Sequence, residues 1–166
     1  VVVCRMSFSR STYNRTDPRM NPAVAEACQR VAAIVGLEME LRCDEDYLWD
    51  WDAIDHHNRP CIVESQVKES WWGNHFPYNT VFILQRYANK AHTQMDSIMS
   101  VPCYQMILSN DLKHAVCVDW EVLRTYGGKE TVWDSYRNEW CDNLTIGKEF
   151  CTLVDIENEE VLNHGF

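Results

Sequence analysis

From Leu37 to Lys68 the chain alternates apolar and polar residues, and this period of two constrains the fold more than any other feature of the sequence. Leu37, Met39, Leu41 and Cys43 alternate with Glu38, Glu40 and Arg42, which predicts a strand with one wet face. Asp44-Glu45-Asp46 breaks that pattern, and a second strand is predicted over 47–54. The polar segment from Asp55 to Pro60 makes a turn into a third strand over 61–68.

Helical signals precede and follow these strands. Asn21-Pro22 supplies an N-cap and a proline at the first helical position, and Val24, Ala27, Cys28, Val31 and Val35 recur at helical spacing until Gly36 stops them. Beyond the third strand come an aromatic loop from Trp71 to Pro77 and a short strand at Val81-Phe82-Ile83. Leu84, Ala88, Ala91, Met95 and Ile98 then form the apolar stripe of a helix ending before Pro102. Strands over 103–108 and 114–120 flank a turn at Ser109-Asn110-Asp111, and a final strand is expected over 150–156, after a Trp-rich segment near 132–141. This order predicts an α/β fold with a central mixed sheet flanked by helices.

A chain of 166 residues is about the size of one domain, and no linker or repeat divides it. Residues 1–20, with Arg5, Arg10, Arg15 and Arg19, read as a basic arm or lead-in, and 21–166 as the domain. No apolar run approaches the ~20 residues needed to cross a bilayer, and Val1 to Met6 is too short for a signal-peptide core. The eight cysteines include no CxxC pair, and most fall inside apolar patterns. Reduced thiols and a cytoplasmic, intracellular location are therefore expected, which leaves the sequons at Asn14 and Asn143 silent. A net charge of −10 opposes binding to nucleic acid unless a cleft is locally basic or a partner supplies the affinity.

Alternation along the third strand sends Glu64, Gln66 and Lys68 to one face and Cys61, Val63, Ser65 and Val67 to the other. On the second strand Asp50 and Asp52 share a face, and pairing through the turn brings an aspartate toward Glu64. Two carboxylates, an amide and an ammonium on one face are the set phosphodiester hydrolysis uses. Carboxylates hold Mg²⁺ or Mn²⁺, and a lysine assists the nucleophile and offsets developing charge.

The segment Trp51-Asp52-Ala53-Ile54, a turn, then Ile62-Val63-Glu64-Ser65-Gln66-Val67-Lys68 resembles the PD-(D/E)xK nuclease superfamily. In order and spacing the resemblance extends over roughly residues 22–120 and is nearest to phage and mobile-element members. It implies a three-layer α/β/α, restriction-endonuclease-like fold and a metal-dependent nuclease acting on DNA. It further implies Asp52 and Glu64 as ligands of Mg²⁺ or Mn²⁺, with Gln66 and Lys68 completing the catalytic set. Gln66 stands where the pattern has lysine. Either Lys68 reaches in from the next same-face position, or Gln66-Val67-Lys68 is itself the motif with Glu64 as an extra ligand, or the site has degenerated. The helical acid of the pattern would fall to Glu26, which lies opposite the apolar stripe.

Other readings of the same residues stay open. Acid and lysine on one strand face also describe a solvated surface with cross-strand pairs. Trp71, Trp72 and Tyr78 could stack bases or plug the core under a loop. His56-His57 fits a turn better than a zinc site. The functional alternatives are a non-catalytic relative used for binding or assembly, with a protein partner or as a homo-oligomer, and an unrelated acidic interaction domain.

Overall fold

The computed structural model describes residues 10–43, 49–73, 75–84, 103–134 and 138–164. In chain order the elements are α1 (Arg10–Thr16), α2 (Pro22–Val35), β1 (Glu38–Leu41), β2 (Trp51–Ile54), β3 (Pro60–Lys68), β4 (Thr80–Leu84), β5 (Cys103–Ser109) and β6 (His114–Asp119). Then come α3 (Trp120–Tyr126), β7 (Gly128–Asp134), β8 (Glu139–Gly147), a 3-10 turn at Lys148–Phe150, β9 (Thr152–Asp155) and β10 (Glu160–His164). The helix expected beyond Leu84 lies outside the described residues, as do 47–48 of the expected second strand.

The fold is mixed α/β around a central seven-stranded sheet of order β1-β2-β3-β5-β6-β9-β10. Strands β1, β2 and β3 form an antiparallel meander, β5 then runs parallel to β3, and the remaining neighbours are antiparallel. Local chemistry sets α2 as the sequence predicts. The Asn21 side chain accepts the Ala23 N–H, and Gly36 adopts φ 80° while its N–H bonds the Ala32 carbonyl. A left-handed residue there is cheap only for glycine.

The buried stripe Val24, Ala27, Cys28, Val31 and Ala32 packs on one sheet face, against Trp51, Ala53, Cys61, Val63, Met106 and Leu108. This is the face to which alternation assigned Cys61 and Val63, so the strand parity read from the sequence holds.

The opposite face carries strands as well as a helix. Among the described residues it is covered by a three-stranded antiparallel sheet, β4-β8-β7, together with α3. Val81, Ile83 and Ile146 from the small sheet, Leu123 from α3 and Trp71 from the aromatic loop meet Ile107, Val116 and Val118 of the main sheet. The Trp-rich segment is the β7–β8 hairpin, where Trp133 pairs with Trp140 across the strands, their rings 5.5 Å apart. Both are exposed, and perpendicular aromatic pairs of this kind stabilise hairpins. The strand expected over 150–156 is shorter, with the 3-10 turn taking its first residue, and β10 extends the sheet beyond it. Among the described residues no helix is long and apolar enough to cross a membrane.

Part of the basic lead-in is helical, and its last arginine is docked. Arg19, its side chain 10% exposed, bonds Asp50 at 2.8 Å and the Arg42 carbonyl at 2.6 Å. The seven described cysteines are free thiols. Asn143 is buried, so its sequon could be modified only if the fold opened.

Candidate functional site

Strand β3 carries the site residues, and the turn after β2 fixes how they align. Ile54 pairs with Pro60 across the turn, so Asp52 lies opposite Ile62 and Trp51 opposite Val63. Asp52 and Glu64 are therefore diagonal neighbours on one face, about 7–8 Å apart by usual sheet spacing. That separation lets two carboxylates approach a common ion. Lys68 is a different matter. Six residues separate it from the position opposite Asp52, about 20 Å along the strand. This exceeds the combined reach of an aspartate and a lysine side chain, and the four candidates do not meet at one point.

Asp52 already has partners. Its Oδ1 accepts the Trp49 indole N–H at 2.7 Å and faces the Arg42 guanidinium at 4.0 Å. Arg42 in turn lies over the Trp49 ring, 4.5 Å from its centroid. These contacts engage Oδ1 by a hydrogen bond and a cation, while the side chain as a whole is 60% exposed. Among the described residues no three His, Cys, Asp or Glu side chains are grouped as a metal site requires.

Asp50, expected on the face of Asp52, turns the other way. It sits in a bend before β2 starts, and its Oδ2 accepts both the backbone N–H and the hydroxyl of Ser65, at 2.9 and 3.1 Å. The β2–β3 ladder ends at Trp51 and Val63, and the carboxylate takes the next N–H in place of a strand. Trp51 Nε1 also donates to the Ser65 hydroxyl at 3.0 Å. A buried carboxylate with a guanidinium and two hydrogen-bond donors is spent on structure.

Lys68 and Gln66 lie at the far end of β3. With Phe76, Tyr78, Thr80, Phe82 and Ile107 they line a cleft of about 120 Å³. Lys68 Nζ is 5.3 Å from the centroid of the Tyr78 ring, whose hydroxyl is 2.9 Å from that of Ser70. Of the aromatic residues proposed to stack bases, Trp71 is fully buried and meets Phe76 edge-on at 5.1 Å, so it belongs to the core. Trp72 and Tyr78 present their rings to solvent, at 64% and 38% exposure.

No family model matches the chain, nor does any curated protein or solved structure.

Several contributors escaped the sequence. Arg42 and Trp49 are partners of Asp52; Arg42 was legible on the wet face of the first strand, whereas Trp49, expected within the second strand, stands in a bend before β2. Gln105 stands beside Glu64 in the β3–β5 ladder, is buried, and has an Oε1 with no hydrogen-bond partner among the described residues. No local signal marks it. Burial pushes the thiol of Cys28 up to about 12 and those of Cys61 and Cys103 up to about 11. These three are protonated at neutral pH.

Proposed function

We propose that the chain is a non-catalytic binding or assembly module built on the strand order of restriction-endonuclease-like nucleases. The scaffold part is supported by α2, the β1-β2-β3 meander and a fifth strand parallel to β3, with Glu64, Gln66 and Lys68 on one face. The non-catalytic part is carried by the β2–β3 register. Hydrolysis of a phosphodiester needs metal and ammonium at the same phosphate, and Asp52 and Lys68 stand about 20 Å apart along the strand. The net charge of −10 acts in the same direction, because neutralising phosphates drives affinity for DNA.

A second reading, a Mg²⁺- or Mn²⁺-dependent nuclease of phage or mobile-element type, is favoured by the diagonal approach of Asp52 to Glu64. Two measurements separate the readings: calorimetric titration with Mn²⁺, and incubation with plasmid and single-stranded DNA in millimolar Mg²⁺ or Mn²⁺. The module reading expects no saturable metal binding and no cleavage. Cleavage that is lost in Asp52→Ala and in Lys68→Ala would establish the nuclease instead.

A further inference from the structure

We infer that the cleft at the carboxyl end of β3 binds a small carboxylate carrying an apolar or aromatic body. This goes beyond the reading above and holds whether or not the chain acts on nucleic acid. Gln66 and Lys68 are successive same-face residues of β3, and Ile107 stands beside Gln66 on β5. Because β3 and β5 run parallel, both strands end at this cleft, the edge at which open sheets characteristically leave room for ligands. The aromatic loop contributes Phe76 and Tyr78, and β4 contributes Thr80 and Phe82.

Two polar groups in the cleft are unspent. Among the described residues no carboxylate lies within ion-pair distance of Lys68, whose ammonium is held over the Tyr78 ring. That contact leaves its N–H donors available. The side chain of Gln66, a half-buried residue, makes no hydrogen bond among the described residues. Its amide N–H groups are therefore available to an occupant that accepts them. Tyr78 is fixed from both sides, by the Ser70 hydroxyl and by Phe76 edge-on at 5.5 Å.

The ligand class follows from charge and size. One ammonium beside one amide matches a single negative charge, and a carboxylate offers an oxygen to each. Apart from the Thr80 hydroxyl, the rest of the lining is largely aromatic and aliphatic carbon, which suits an apolar body. No helix N-terminus or glycine-rich loop lies among the lining residues to cradle a phosphate dianion. The net charge of −10 also disfavours a dianion. The cleft volume of about 120 Å³ is small beside the roughly 300–1,000 Å³ of usual ligand sites, which favours a compact ligand over a nucleotide.

The test is calorimetric or ligand-observed NMR titration of the full chain with benzoate, benzamide, inorganic phosphate and deoxyadenosine monophosphate. Benzoate should bind saturably, and neutral benzamide at least about tenfold more weakly, the effect of losing one charge-assisted hydrogen bond. Lys68→Met should weaken benzoate by a similar factor, Lys68→Arg should retain it, and Gln66→Glu should abolish it by adding a like charge. Circular dichroism checks that each variant is folded, and Gln66→Glu serves if Lys68→Met is not. Three results would overturn the assignment: no saturable benzoate binding at tens of millimolar, benzoate binding unchanged in the folded variants, or phosphate or the nucleotide binding more tightly than benzoate.

Discussion

Replacing Arg19 by methionine removes the cation from the Asp50 network while keeping a long apolar stem in its place. In the native chain the two side chains are 10% and 11% exposed and 2.8 Å apart. Arg19 also holds the Arg42 carbonyl, which ties the lead-in to the segment before β2. Removing one partner of a buried ion pair costs about 3–5 kcal/mol, because the other charge stays buried and uncompensated. Asp50 keeps its two bonds from Ser65, which places the expected loss near the low end, about 3 kcal/mol.

At about 2–4 °C per kcal/mol for a chain of this size, the melting temperature should fall by roughly 6–12 °C. Urea unfolding followed by tryptophan fluorescence reads the same quantity, since Trp51 sits in the network. The variant Arg19→Met/Asp50→Asn keeps an acceptor for Ser65 and removes the charge at position 50, while Asp17, which Arg19 also faces at 3.5 Å, stays in both members of the comparison. It should lose less than the sum of the two single changes by more than about 1 kcal/mol. A single-variant loss below about 1 kcal/mol, or a cycle additive within about 0.5 kcal/mol, would refute the account of Asp50 as a structural carboxylate.

Trp71→Ala should cost about 3–5 kcal/mol by leaving a core cavity, whereas Trp72→Ala should stay within about 0.5 kcal/mol. Equal losses in urea unfolding would contradict the division of that aromatic pair into core and surface. Asp55, Asp111 and Asp155 set an acid limb in stability. Burial pushes Asp55 upward, yet N–H groups of Arg59 and His57 and the Arg59 guanidinium hold it below the ordinary 3.8. Asp111 is likewise burdened by burial and held below 3.8 by the Ser109 hydroxyl and nearby N–H groups, while Asp155 is lowered first by the Asn158 N–H. A depressed carboxylate contributes stability that is present above its unfolded value and lost as pH falls through its folded one. Urea midpoints should therefore drop below about pH 4, and Asp55→Asn should flatten that drop. An acid limb unchanged in the variant would remove Asp55 from the explanation.

Local chemistry wrote α2, β3 and the β5–β6 hairpin into the sequence. The Asn21 cap, Pro22 and Gly36 act within a few residues of one another, and so does the alternation along 61–68. Even the separation of Asp52 from Lys68 was implicit there. Once a turn spans residues 55–59, Asp52 must face Ile62, and Lys68 must stand far along the strand. Face parity was legible, and so in principle was distance along the strand.

What needed the folded chain was everything set by contacts between distant residues. The pairing of β4 with β8 joins segments some sixty residues apart, and β7 and β8 are too polar for alternation to reveal which face is covered. The ion pair between Arg19 and Asp50, the capture of Asp52 by Trp49, and the cleft that β4 completes beside Lys68 all depend on that packing. Periodicity reports which way a side chain leaves its own strand. What it meets there is decided by the tertiary structure, because burial and hydrogen-bond partners come from elements that local pattern cannot bring together.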